Sequence, residues 1–220
     1  PEITVPAGGT VELEVTADIS EAKVVEPGVT GDFEKTVDAH SVFTNGFFVE
    51  GFVTLTDKND TNPALTVPYV GFHGDWNAAP IIDDFATEDS SFYGYTGLVD
   101  NSNNYLGYNQ FTEKLEKEHI AFSPNNDGVA DQATPIYSML RNAEVLEFNI
   151  LDSNGKQLRK IGTQNLVTKH YYDGSGARYT LNTSKTWDGK INNKIAEGDY
   201  YYELKATAAF DGATAQSFKI

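Results

Sequence analysis

The chain has no cysteine, one methionine (Met139), and 16 Lys and Arg against 32 Asp and Glu in 220 residues. Without cysteine there is no disulfide, no thiol nucleophile and no thiolate zinc site, although the compartment stays open. A formal charge of −16 disfavours a nucleic-acid partner, because phosphate binding needs a positive surface that releases counterions. Anionic membranes are disfavoured for the same reason. No apolar run reaches the length of a membrane span and no basic-then-apolar start marks a signal peptide. What the charge favours is solubility and attraction of cations or basic polypeptides.

What is present is a folded, strand-forming composition. Hydrophobic residues make up 40% and aromatics 12%, with 13 Phe, 12 Tyr and 19 Gly. Strands draw on Val, Ile, Thr, Tyr and Phe, and turns on Gly, Asn and Asp, so the balance leans to an all-β protein. The length suits two domains of ordinary size. The start at Pro1 and the single internal methionine give the expectation of a processed chain or, in preference, a segment of a longer polypeptide.

Strict alternation over Thr10–Asp18, with Val11, Leu13, Val15 and Ala17 on one face, predicts a half-buried strand. A short helical turn is expected over Ser20–Val25, closed by Pro27-Gly28. Phe47–Leu55 and Ala64–Phe72 read as a hairpin through the polar loop Asp57–Asn62, with Pro68 confined to an edge or bulge. Periodicity is lost from about 80 to 118, where Tyr93, Tyr95, Tyr105 and Tyr108 either form a sugar-stacking or peptide-binding face or pin an irregular loop to a sandwich. It returns with Leu146, Phe148 and Ile150, a turn at Asp152-Ser-Asn-Gly155, and a strand carrying Tyr200, Tyr202, Leu204 and Ala206 on one face. A last strand is expected over Thr214–Ile220, and Trp187 and Tyr202 are expected in the core. Short strands separated by turns, without long helical windows, predict antiparallel sandwiches. The boundary is placed after Gly74, giving domains 1–74 and 75–220.

The stretch His119–Asp131 holds Ser123-Pro-Asn-Asn-Asp-Gly128, a chain reversal in which Pro124 fixes φ and Gly128 admits a positive φ. Side-chain oxygens at Asn125, Asp127 and Asp131, with the carbonyl of Val129, recur at near-alternate positions, as in loops that wrap structural calcium. The competing account is a turn built on Asx hydrogen bonds, since the pattern is shorter than an EF-hand loop and lacks its closing glutamate.

Catalytic signals are absent from the sequence. His40, His73, His119 and His170 show no H-E-x-x-H spacing, no G-x-S-x-G surrounds a serine, and no phosphate-binding glycine motif follows a strand. The pair Asp83-Asp84 offers two carboxylates of the kind glycoside hydrolysis uses, but adjacent acids on an exposed segment read as solvated charge.

Asn45–Val53 followed by Leu65–Phe72 resembles the first fibronectin type III-like domain that follows the catalytic domain in cell-envelope subtilisin-like serine proteases, the lactocepin and complement-factor-cleaving peptidase family. Ala121–Gly128, Thr186-Trp-Asp-Gly189 and Glu197–Tyr202 resemble the second such domain. The resemblance implies two consecutive antiparallel β-sandwich domains of fibronectin type III-like or immunoglobulin-like type. The first would be incomplete, because the family's domain has strands before the equivalent of Ile3, which predicts an exposed edge. It further implies a parent serine endopeptidase on the wall of a Gram-positive bacterium. This segment would then be a non-catalytic spacer whose partners are the catalytic domain of the same polypeptide and protein substrates. No triad residue and no wall-anchor motif has a counterpart here. The alternative is a surface adhesin or ligand-binding sandwich.

Overall fold

The computed structural model describes residues 2–31 and 34–220. The chain is nearly all β, with multiple antiparallel sheets, and divides into two units, Pro1–Trp76 and Asn77–Ile220.

In the first unit, β1 (Lys23–Val25) pairs with β2 (Thr36–Asp38), and the short helix α1 (Ala39–Val42) follows directly. The Asp38 side chain starts this helix by accepting from the His40 amide at 2.9 Å. The long strands β3 (Phe47–Leu55) and β4 (Leu65–His73) form the expected hairpin in unbroken register from Phe47↔His73 to Leu55↔Leu65. Asp57 organises the connecting loop, accepting from the Asn59 amide, the Thr61 hydroxyl at 2.6 Å and the Asn62 amide group at 2.7 Å. These bonds, the Thr61 hydroxyl foremost, hold its carboxyl well below the usual aspartate range. Pro68 lies in a two-stranded sheet, where each strand is an edge and a missing N–H is tolerated.

Two expectations fail in this unit. Thr10–Asp18 forms no strand, and Val11, Leu13 and Val15 are exposed. Alternation supplies a face but a strand also needs a ladder partner, and among the described residues none pairs with this stretch. Ser20–Val25 is not helical: a single turn, with the Ala22 amide donating to the Ile19 carbonyl at 3.1 Å, leads into β1, where β-branched Val24 and Val25 favour strand. Ala39 is the buried apolar residue of this unit among the described residues, while Phe48, Phe52, Val67 and Val70 remain exposed.

The second unit is a sandwich of a four-stranded and a three-stranded sheet. In chain order its strands are β5 (Gly97–Val99), β6 (Tyr108–Asn109), β7 (Lys114–Leu115), β8 (Thr134–Tyr137), β9 (Ala143–Asp152), β10 (Gln157–Val167), β11 (Thr180–Leu181), β12 (Lys190–Ile191), β13 (Lys194–Ile195), β14 (Tyr200–Ala208) and β15 (Gln216–Lys219). The larger sheet runs β10-β9-β14-β15 and the smaller β11-β8-β5, with β6-β7 and β12-β13 as two-stranded additions. Register places Leu146 opposite Ala206, Phe148 opposite Leu204 and Ile150 opposite Tyr202. All six are buried, and they meet Ile81, Phe85, Leu98, Tyr137 and Met139 in one apolar core. The β9–β10 turn is closed by Asp152, whose carboxylate accepts from the Asn154 and Lys156 amides, with Gly155 at φ 82°.

Polar side chains are also buried on the other face of the large sheet. The Asn149 amide group donates to Glu203 at 2.9 Å and Ser217 donates to the same carboxylate at 2.5 Å, while the Asn149 Oδ1 has no partner among the described residues.

Candidate functional site

The loop Ser123–Asp131 closes on itself through its own carboxylates. Asp131 accepts from the Asn126 amide at 2.6 Å and the Gly128 amide at 2.8 Å. Asp127 accepts from the Val129 amide at 2.9 Å and the Asn125 amide group at 2.9 Å, and Asn125 Oδ1 accepts from the Asp127 amide at 3.0 Å. The Val129 N–H, and after it the Asn125 amide, hold the Asp127 carboxyl below its usual range. Asn125 and Asp127 thus bond to each other, Asp131 closes the loop on the Asn126 and Gly128 amides, and both carboxylates anchor backbone N–H groups. The same segment docks on the motif Thr186–Gly189: the Phe122 and Trp187 rings meet edge to face at 5.2 Å, and Ala133 and Trp187 exchange backbone hydrogen bonds at 2.8 and 3.0 Å. Trp187 is buried, donates its indole N–H to the Lys190 carbonyl at 3.1 Å, and packs on Tyr200. Gly189 has φ 70°, and a Cβ there would lie 2.6 Å from Pro124 Cγ. Gly189→Ala is therefore expected to cost about 1–3 kcal/mol through strain and overpacking, read as a lower denaturation midpoint.

The aromatic segment is pinned to the sandwich, the second of the two roles considered for it, and some of its rings stay on the surface. Tyr105 is pinned, its hydroxyl donating to the Tyr95 carbonyl at 2.7 Å, and burial pushes its phenol up to about 12. Tyr93 donates to the His170 carbonyl at 2.8 Å. Around them a surface cluster joins two distant segments: Phe92 and Tyr93 pack on Tyr172, Tyr95 on Tyr179 at 4.7 Å, and the Arg178 guanidinium lies 4.3 Å from the Tyr172 ring centre. Phe92, Tyr172 and Tyr179 stay exposed, and Tyr108 is exposed on β6. Tyr172 and Tyr179 carry no sequence signal beyond being aromatic in a Gly-rich loop.

Asp83 corrects the expectation of solvated charge. It is fully buried, accepting from the Phe92 and Tyr93 amides at 2.7 Å each and from the Ser91 hydroxyl at 3.1 Å. Asp84, beside it, accepts from its neighbour's amide and from Ser90 at 2.6 Å. Both carboxylates therefore shape the aromatic loop. The signal was their setting between Ile81-Ile82 and Phe85, all three of which are core.

The histidines are engaged locally. His119 pairs with Glu116 and His40 with Asp38. His170 is the most informative: its Nδ1 accepts from the Met139 amide at 2.7 Å, so the neutral ring carries its proton on Nε2 and donates to Thr180 Oγ1 at 3.0 Å. A ring in that tautomer cannot take a proton from Thr180. Burial lowers its pKa below the ordinary 6.5. The unfolded chain consequently binds this proton first as pH falls. The contribution is complete above about 6.5 and is lost as pH drops through the folded-state value. Denaturation at pH 7.5 and 5.5 should show lower stability at 5.5, with a smaller difference in His170→Gln; an unchanged difference would contradict this assignment.

Comparison with known proteins gives these observations a context. Residues 1–70 match the Fn3-like domain family. The chain is 26% identical over 220 residues to the PI-type proteinase of Lactococcus lactis subsp. cremoris, an alignment covering 92% of this chain and 10% of the relative. It is 27% identical over 223 residues to the PII-type proteinase of Lacticaseibacillus paracasei, again 92% and 10%. With the C5a peptidase of Streptococcus pyogenes serotype M1 it shares 24% over 285 residues, 98% of this chain and 23% of the relative. The chain thus spans about a tenth of the length of the first curated relatives it matches. The resemblance read from the sequence stands: an Fn3-like domain, in a chain similar throughout to part of the cell-envelope proteinases and C5a peptidase.

Proposed function

We propose that this chain is a non-catalytic accessory region of a secreted, wall-associated subtilisin-like serine endopeptidase, positioning the protease domain and assisting the capture of protein substrates. The observation that carries it is similarity along nearly the whole chain to a small share of much longer proteinases, joined to an Fn3-like match at residues 1–70. A chain charge of −16 supports attraction of basic substrate segments toward such an enzyme. The catalytic domain is then the partner within the same polypeptide, the location is the Gram-positive cell surface, and the covalent chemistry belongs to that domain. Two experiments test this. The reading frame upstream should encode a subtilisin-like domain, and the isolated 220-residue chain should neither hydrolyse casein nor react with a serine-directed fluorophosphonate. Labelling of this chain alone would overturn it.

The exposed cluster of Phe92, Tyr172 and Tyr179 favours a second reading, an adhesin-like ligand-binding sandwich. Saturable binding of the isolated chain to matrix protein or glycan, weakened by Tyr172→Ala, would support it, and a flat titration would dismiss it.

Structural calcium at Asn125, Asp127, Val129 and Asp131 is a separate proposal. Among the described residues no three His, Asp or Glu side chains converge on an ion position. Four oxygens from the chain fall short of the six to eight that calcium takes, so water would complete the shell and the affinity expected is in the range of about 10⁻⁴–10⁻³ M. Ten millimolar-scale calcium should then raise the melting temperature of the chain by linkage, and Asp127→Ala should remove the increment. Absence of any shift assigns the loop to its Asx turns alone.

A further inference from the structure

His40 and His73 lie far apart in sequence and have adjacent rings, with centroids 5.1 Å apart and planes at 80°. Two imidazoles bound to one tetrahedral ion at about 2.0–2.1 Å per bond place their ring centres about 5 Å apart, and the edge-to-face pair of His40 and His73 has that spacing. The first ring is also oriented in the manner of a metal ligand. Asp38 Oδ1 lies 3.0 Å from His40 Nδ1 and 2.9 Å from the His40 amide. An ionised carboxylate only accepts, so Nδ1 carries the ring proton and the lone pair of neutral His40 is on Nε2. A carboxylate on the nitrogen remote from the metal is the usual outer partner of a coordinating histidine, fixing its tautomer and raising its basicity.

Both rings sit on anchored elements. His40 is in α1, tied down by the Ala39 amide on the Ala22 carbonyl at 2.9 Å and the Ser41 hydroxyl on the Asp38 carbonyl at 2.7 Å. His73 ends β4 directly opposite Phe47, whose ring packs on both imidazoles at 5.2 and 5.4 Å. His73 is exposed and His40 half-buried, so solvent reaches the pair. We propose that His40 and His73 form a two-imidazole site for a divalent late transition metal of the zinc class, with Asp38 as positioning residue and water filling the remaining positions. Imidazole suits zinc, nickel and copper, whereas calcium and magnesium demand oxygen. This site is independent of the loop at 123–131 and of any role of the chain in a protease.

Titration of the full 220-residue chain with zinc chloride, followed by calorimetry and by the imidazole proton resonances, tests it. One ion per chain is expected, with the His40 and His73 resonances shifting together while His119 and His170 hold still. His40→Ala and His73→Ala should each abolish saturable binding. Asp38→Asn keeps the helix cap, because Asn caps as well as Asp, and should weaken zinc about 10–100-fold without altering the stoichiometry. His119→Ala should bind as the parent does. Retained affinity in both alanine variants at His40 and His73, or absence of saturable heat with the parent chain, would overturn the site. Unchanged circular dichroism and melting of the metal-free variants separates loss of ligand from loss of fold.

Discussion

Asp83→Ala should destabilise the second unit by about 3 kcal/mol, because it removes a buried carboxylate that accepts two backbone N–H groups and a hydroxyl. Hydrogen bonds to a charged acceptor contribute about 1.5–3 kcal/mol each, and part of the loss is recovered where water reaches the freed amides. Asp83→Asn keeps one carbonyl acceptor but turns an NH₂ group toward an N–H, so an intermediate loss is expected. Chemical denaturation reads the stability, and amide exchange at Phe92 and Tyr93 should accelerate more than exchange in β9. Because Phe92 and Tyr93 carry the exposed aromatic cluster, the same variants should disorder that surface. A loss below about 0.5 kcal/mol, the range of ordinary surface substitutions, would return Asp83 to the role of solvated charge.

Phe148→Ala is expected to cost about 3–5 kcal/mol, the range for removing a large aromatic ring from a closed core. Phe148 is fully buried at the centre of β9, opposite Leu204 on β14, with the Tyr137 ring 5.8 Å away on the facing sheet. No neighbouring strand is free to collapse into the vacated space, since both flanks of β9 are occupied by β10 and β14. Phe52→Ala, on the exposed face of β3 in the other unit, serves as the contrast and should change stability by well under 1 kcal/mol. Equal losses for the two would mean that the exposed face of the hairpin is covered in solution.

The contrast between those two phenylalanines also explains which parts of the fold were legible. Leu146, Phe148 and Ile150, and Tyr202, Leu204 and Ala206, alternate in sequence and are buried in structure because each strand has neighbours on both sides and a second sheet over one face. Asp152 and Gly155 announced their turn for a local reason, an Asx carboxylate and a positive φ, and local causes survive folding unchanged. Val11, Leu13 and Val15 alternate as cleanly, but burial is a property of what pairs with a strand, and the sequence carries no trace of a partner. The four-residue helix at Ala39 escaped notice because one capping aspartate sets it, too short a signal for periodicity.

The site residues divide in the same way. Asn125, Asp127 and Asp131 were singled out from spacing, and in the structure each makes hydrogen bonds within the same loop. Spacing did not reveal that Phe122 and Pro124 would rest on Trp187 and Gly189, since that contact joins segments far apart in the chain. Nor did it bring Tyr95 to Tyr179 or His40 to His73, pairs set by strand register and loop path. Asp83 was misread because adjacent acids usually mark a wet surface, and the apolar residues around the pair outweighed that habit.

The role proposed for this chain is placement and capture beside a subtilisin-like neighbour that performs hydrolysis. Its most direct test is kinetic, with residues 1–220 deleted from the parent protease and kcat/KM compared for an intact protein substrate and a short chromogenic peptide. Binding energy gathered away from the scissile bond is available only to the long substrate, so its kcat/KM should fall about tenfold or more while the peptide is cleaved as before. Equal losses on both substrates, or no loss on either, would contradict the account.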